Sequence, residues 1–212
     1  MSQSVIIIGG GGHAKVLIDA LRLSGVDILG ITDADSTKHA HRIGGVRVLG
    51  DDSIISQYGS SEVLLVNGIG SINLPLRRAD LFERYKALGY CFTSVIHPSA
   101  IIATDVSLGE GVQVMAGAVI QPGCSIGGNC LINTGTTIDH DCWIGDHTHL
   151  SPGVTLCGNV TMKGRSFVGA GAIVIQGKNI GSAGLVAAGA LVLEDVLDGA
   201  VVMGVPANEV EK

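Results

Sequence analysis

Residues 139–141 read Asp139-His140-Asp141, a histidine between two carboxylates. An imidazole titrates near neutral pH, so it can take a proton from an attacking nucleophile. A carboxylate on its second nitrogen fixes the tautomer and raises its basicity. His147 and His149 follow closely, but no cysteine pair or HExxH motif accompanies the three, so no metal site is expected. A surface position suffices for His147, and His39 and His41 belong to no constellation. A second cluster lies near the N-terminus, where Gly9-Gly10-Gly11-Gly12-His13-Ala14-Lys15 is followed by Asp33. A glycine loop that opens a helix presents backbone N–H groups favourable to phosphate.

Two kinds of element must position these residues. Around the glycine loop, Val5–Ile8 reads as a buried strand, Ala14–Leu23 as a helix and Ile28–Ile31 as a second strand. A third strand, Val63–Val66, runs into Asn67-Gly68-Ile69-Gly70, and Leu76–Leu88 has helical spacing. These make one small parallel sheet, with ligands expected at its strand ends.

From Ile102 a different period takes over. Every sixth residue to Val192 is aliphatic or methionine, sixteen positions without a break. Four residues after each comes a mostly small or β-branched side chain, as at Ala118, Cys124, Cys130, Thr136 and Cys142. Gly109, Gly127, Gly145, Gly169 and Gly181 directly follow the aliphatic position and are expected to supply positive φ at corners. A six-residue period fits neither a helix nor a simple strand. It fits short strands and tight corners, three to a triangular coil of about eighteen residues, stacked by parallel pairing.

Composition narrows the field. Only 3% of the 212 residues are aromatic against 46% hydrophobic and 32 glycines, which suits a narrow repetitive β core. The net charge of −6 without a basic cluster argues against nucleic acid. No signal peptide or membrane span is read, and five cysteines without a CxxC pair suggest small buried hydrophobes. A cytoplasmic location is expected.

Units such as Ser107-Leu108-Gly109-Glu110-Gly111-Val112 and Trp143-Ile144-Gly145-Asp146-His147-Thr148 resemble the hexapeptide repeats of left-handed β-helix acyltransferases. Gly204-Val205-Pro206-Ala207 resembles their ending. A glycine-loop βαβ unit joined to such a helix resembles the nucleotide-aminosugar N-acetyltransferases, a family often labelled sialic-acid O-acetyltransferase-like, over nearly the whole chain. The resemblance implies a Rossmann-like domain over 1–94 that holds a nucleotide sugar, and a left-handed parallel β-helix over 95–212 that binds acetyl-CoA. It implies a homotrimer with active sites between neighbouring helices, and neither a metal nor a membrane as partner.

By the same resemblance His140 is the general base and Asp141 its acidic partner, although Asp139 flanks the same ring. Gly158, one coil further on, is expected beside His140 with its N–H toward the thioester oxygen. His13, Lys15, Asp33 and Gly70 are the counterparts of nucleotide-binding residues, and Asn133 lies near the acceptor. His149 is placed near the donor, with Ala170 and Ala188 approaching the coenzyme through their backbone. Relatives often carry a second acidic residue directly after the first; here Ala34 stands there and Asp35 follows. The expected acceptor is the 4-amino group of a nucleotide-linked 4-amino-4,6-dideoxy sugar for bacterial glycan biosynthesis, with UDP favoured over GDP as carrier. The alternative is O-acetylation of sialic acid or a related sugar. A non-enzymatic β-helix is opposed by the intact Asp139-His140-Asp141 segment.

Overall fold

The computed structural model describes residues 3–210. The chain opens with β1 (Ser4–Ile8), α1 (Gly12–Leu23), β2 (Ile28–Thr32), β3 (Arg42–Ile43), β4 (Val46–Gly50), β5 (Val63–Asn67) and α2 (Leu76–Ala87). The sheet order is β3-β4-β2-β1-β5, parallel except for the β3–β4 hairpin. The unbroken apolar run Val5–Ile8 lies at the middle of this sheet because helices cover both of its faces. Val5 and Ile7 pack with Leu17, Ile18 and Leu21 of α1, while Ile6 and Ile8 pack with Leu81, Phe82 and Tyr85 of α2. The β3–β4 hairpin is absent from the sequence reading. Its signal is Gly44-Gly45, both at positive φ, between Ile43 and Val46.

From Val95 onward two-residue strands recur every six residues and form three parallel sheets, one per side of a triangular coil. Residues 18 apart are neighbours in adjacent coils, as in Gln113–Leu131–His149–Phe167. The sixfold aliphatic positions and the small residues four places later fill one buried core, in which Cys124, Cys130 and Cys142 sit as free thiols.

The corners correct the expectation about glycine. Positive φ falls three residues after the aliphatic position, at Gly111, Gly117, Gly123, Asn129, Gly135, Asp141, His147 and onward every six residues to Gly189. Gly109, Gly127, Gly145, Gly169 and Gly181 do not have positive φ. They are glycine because the next coil passes too close: a Cβ on Gly109 would lie 2.5 Å from the Gly128 nitrogen, and one on Gly145 2.7 Å from that of Gly164. Stacking at strand spacing, about 4.8 Å, leaves no space there for a methyl group.

We call the three sides the docking, second and third faces. The docking face carries the strands at residues 95, 113, 131, 149, 167, 185 and 201. The second carries those at 101, 119, 137, 155, 173 and 191, and the third those at 107, 125, 143, 161 and 179. The N-terminal unit sits on the docking face, where Val95, Met115 and Leu131 share a core with α1. At the far end the last coil is shortened, so Asn179 meets Asp195, and Asn208–Glu209 turns back antiparallel to Val201–Met203.

Gly145→Ala is expected to destabilise the protein by about 1–3 kcal/mol. Gly177→Asn, at positive φ with open space around it, is expected to cost about 1 kcal/mol or less. Thermal melting of the two variants gives the order, and the reverse order would contradict the spacing constraint.

Candidate functional site

His140 and Asp141 occupy the corner between the second and third faces, after Thr137–Ile138 and before Trp143–Ile144. The imidazole Nδ1 lies 2.8 Å from Asp141 Oδ2, and Asp139 Oδ1 accepts the backbone N–H of His140 at 2.8 Å. Asp141 is thus the carboxylate on the ring, and Asp139 holds the main chain beneath it. The hydrogen bond that the Asp141 carboxylate accepts from the ring holds the His140 pKa above its ordinary 6.5, with a smaller push from the charge of Asp139.

Two glycines from adjacent coils make room for this pair. A Cβ on Gly158 would sit 2.6 Å from Cε1 and Nε2 of His140, so the ring lies over that glycine as the coil arithmetic expects. The Gly158 N–H meets no acceptor among the described residues, whereas the N–H of Asn159 is taken by the His140 carbonyl. One coil earlier, a Cβ on Gly123 would collide with the Asp141 carboxylate. Gly123 was not anticipated, although stepping back one coil from Asp141 finds it. Asp141 itself is at φ +60, where aspartate is tolerated and most side chains are strained.

A second candidate region lies at the carboxyl ends of β1, β2 and β5. A cavity of about 440 Å3 is lined there by Gly9–His13, Asp33, Ala34, Lys38, Asp52, Gly68–Gly70, Arg77 and Leu81. The N-terminus of α1 opens into it without a side-chain cap. Asp33 Oδ1 accepts from the Asp35 N–H at 2.9 Å and Oδ2 from Lys38 Nζ at 2.9 Å and the Gly10 N–H at 2.7 Å, which together outweigh its burial and keep its pKa low. A side chain on Gly10 would strike that carboxylate. Lys15 is exposed on α1 and does not line this cavity; Lys38 is the lysine that reaches it. Asp35 turns away to cap Thr37, and the further acidic lining group is Asp52. His39, expected to have no part, bonds to the Asp33 carbonyl at 2.8 Å.

Beside it, a cleft of about 380 Å3 separates Gly70–Ile72 from the docking face and is lined by His13, Val16, Leu131, Asn133 and His149. His13 and Gly70 border both spaces. His13 Nε2 lies 2.7 Å from Gln113 Oε1 on the docking face, and burial pushes its pKa down to about 4. His149 is 3% exposed with neither ring nitrogen hydrogen-bonded, its edge packed on Phe167, and burial pushes its pKa down to about 3. His147 is no surface residue. Its Nδ1 meets Asn129 at 2.9 Å and its ring packs on Phe82.

The histidines of the repeat therefore point to different places: His140 to one edge, His147 to a second edge and His149 to the docking face. Among the described residues no group of three or more His, Cys, Asp or Glu side chains is arranged to hold a metal. Asn133, Ala170 and Ala188 line up at the edge between docking and second faces. The whole second face separates them from His140, Asp141 and Gly158 in the same chain. Among the described residues no helix is long and apolar enough to cross a membrane.

Comparison with known proteins bears on both regions. The family described as PglD N-terminal domain matches residues 4–84, and the bacterial transferase hexapeptide family (six repeats) matches 105–140 and 123–158. A variant of the GDP-perosamine N-acetyltransferase from Caulobacter crescentus, in complex with CoA and GDP-perosamine, is 40% identical. It has a TM-score of 0.92, with 100% of this chain and 99% of that chain covered. The acetyltransferase domain of PglB from Neisseria gonorrhoeae, in complex with acetyl coenzyme A, is 30% identical at a TM-score of 0.90, with 99% and 100% covered. WeeI from Acinetobacter baumannii, 23% identical at a TM-score of 0.87 over 99% and 100%, shares the fold. Comparison with curated proteins finds no match.

NMR titration should find His140 half-protonated above pH 6.5, and Asp141→Asn should bring that midpoint down. His13 and His149 should stay neutral to about pH 4 and about pH 3. An unmoved His140 midpoint in Asp141→Asn would show that the contact with Asp141 does not set its basicity.

Proposed function

Because the chain belongs to the nucleotide-aminosugar N-acetyltransferases of the hexapeptide-repeat, left-handed β-helix superfamily, we propose that it acetylates the 4-amino group of a GDP-linked 4-amino-4,6-dideoxy sugar. The enzyme is an acetyl-CoA-dependent N-acetyltransferase; the carrier, the sugar and the residue roles are the proposal. The GDP carrier rests on the Caulobacter relative, whose complex holds GDP-perosamine at 40% identity; the UDP carrier favoured on sequence is the alternative that the same assay tests.

The observation that carries the chemistry is the imidazole of His140 over Gly158 with Asp141 on its other nitrogen. The sugar amine attacks the thioester carbonyl while His140 Nε2 takes its proton. Asp141 keeps the Nδ1–H tautomer and stabilises the imidazolium, and the Gly158 N–H donates to the oxyanion. Collapse expels the coenzyme thiolate, which leaves with the proton from His140, and the amide remains on the sugar. Asp33, the Gly9–Gly12 loop and the α1 N-terminus hold the nucleotide, with His13 and Gly70 at the inner wall. Lys15 has no part in this pocket. Asn133 serves the acceptor, and His149, Ala170 and Ala188 serve the donor.

The division of these residues between two edges of the coil supports a homotrimer. The base of one copy would meet the cleft of the next, since the second face separates them within one chain. The chain divides at 94/95 between nucleotide and coenzyme functions, with outer bounds 1 and 212 outside the described residues. The described cysteines are all unpaired, which fits a reducing cytoplasm.

A thiol-release assay over GDP- and UDP-linked 4-amino sugars and free sialic acid tests the acceptor, and turnover with sialic acid alone would overturn it. His140→Ala is expected to lower kcat/KM by about 100-fold or more. The neutral imidazole is the base and Asp141 raises its pKa, so activity rises as pH climbs through that raised value. Asp141→Asn should move this acidic limb to lower pH and reduce the plateau. Full activity of folded His140→Ala would remove the mechanism.

A further inference from the structure

Arg78 is fully buried on α2 and has no carboxylate partner among the described residues. Its Nη1 donates to the carbonyls of Asn67 at 2.9 Å and Ile69 at 3.1 Å, and its Nε to that of Asn129 at 3.3 Å. Nη2 is buried without an acceptor. Asn67 and Asn129 close around its main chain, their amides both donating to the Arg78 carbonyl. Three neutral carbonyls satisfy hydrogen bonds, but they do not cancel a charge. A buried guanidinium without a counter-ion is costly, so its persistence calls for something that supplies negative charge in the working protein.

The adjacent cavity is where that charge would come from. Gly68, Ile69 and Gly70 form its wall, and Arg78 stands directly behind them, bonded to the Ile69 carbonyl. The other charges of the cavity are largely spoken for. Lys38 is paired with Asp33, and Asp52 with Arg84, which leaves Arg77 at the exposed rim and Arg78 behind the wall. His13 and His149 are neutral, held so first by burial and then by the charge of Arg78 itself.

We infer that Arg78 is the fixed positive charge of the nucleotide pocket, and that the diphosphate of the bound nucleotide is its missing counter-ion, acting through the Gly68–Gly70 wall. This rests on reading the N-terminal cavity as the nucleotide site. Arg78 is a positioning residue: it holds the wall and biases the pocket toward the charged part of the ligand.

Calorimetry on the full chain with GDP and with guanosine separates the possibilities. If neither GDP nor UDP binds, the nucleotide reading itself falls, and UDP binding alone moves the comparison to UDP and uridine; the expected result is that the wild type binds GDP. If it does, Arg78→Met should lower the GDP-to-guanosine affinity ratio about tenfold, the scale of one charge at an intermediate dielectric. The KM for acetyl-CoA should be unchanged, which also reports that the coil is intact. An unchanged ratio, with both ligands weakened alike, would overturn the inference and leave Arg78 a structural pin. Arg78→Lys stays measurable where the methionine variant does not fold. It keeps the charge and loses the double grip, so GDP affinity should remain within about threefold of wild type. Joint loss of GDP and guanosine binding in the lysine variant would equally overturn it.

Discussion

Successive coils of the C-terminal unit stack at strand spacing, and alternate main-chain N–H groups reach carbonyls of the coil above, as Gln113 reaches Cys130 and Val119 reaches Thr136. That ladder sets an 18-residue register to which everything else in the coil conforms. It excludes side chains at Gly109 and Gly145, requires left-handed backbone once per side, and leaves the core only aliphatic or small groups. The His140–Asp141 corner is a product of the same register. His140 lies flat because Gly158 is above it, and Asp141 reaches the ring from a left-handed corner because Gly123 is below.

The N-terminal unit is held to this coil by two different kinds of contact. α1 contributes apolar packing on Val95, Met115 and Leu131. Beside it runs a buried polar layer in which Gln113 bonds both His13 and the Asn67 carbonyl, and Asn129 bonds Asn67, Arg78 and His147. Apolar packing tolerates sliding, whereas directional hydrogen bonds across a buried layer fix orientation. The loop that walls the cavity therefore takes its position from the coil as well as from its own sheet.

Much of this was legible in the residues. A period of six kept over sixteen positions admits one architecture, and the run Val5–Ile8 before four glycines marks a buried strand and a loop that opens a helix. The spacing of 18 found Gly158 from His140 without coordinates. What escaped has physical causes. Glycine serves two purposes in each side of the coil, and composition alone does not tell close approach from positive φ. Asn129, Asp141, His147 and Arg165 occupy the positive-φ slot with side chains, which hides it further. Lys15 follows the glycine loop, but α1 turns it outward, and Lys38 arrives from a short turn whose sequence carries no sign of it. Arg78 did leave a trace: it lies four residues before Phe82 and seven before Tyr85, on the buried stripe of α2.

The upper end of the coil has its own consequence. A stack of parallel strands is a template that any further strand can extend, whether from the same chain or a stranger. Here the template is finished on every side. Asn208–Glu209 lies antiparallel on Val201–Met203, Ile180 is bridged by Val196, and Leu191 exchanges bonds with Gly204 and Ala207. The last few residues of the described chain lie where a further strand would add, so their removal is expected to bear on solubility before it bears on catalysis.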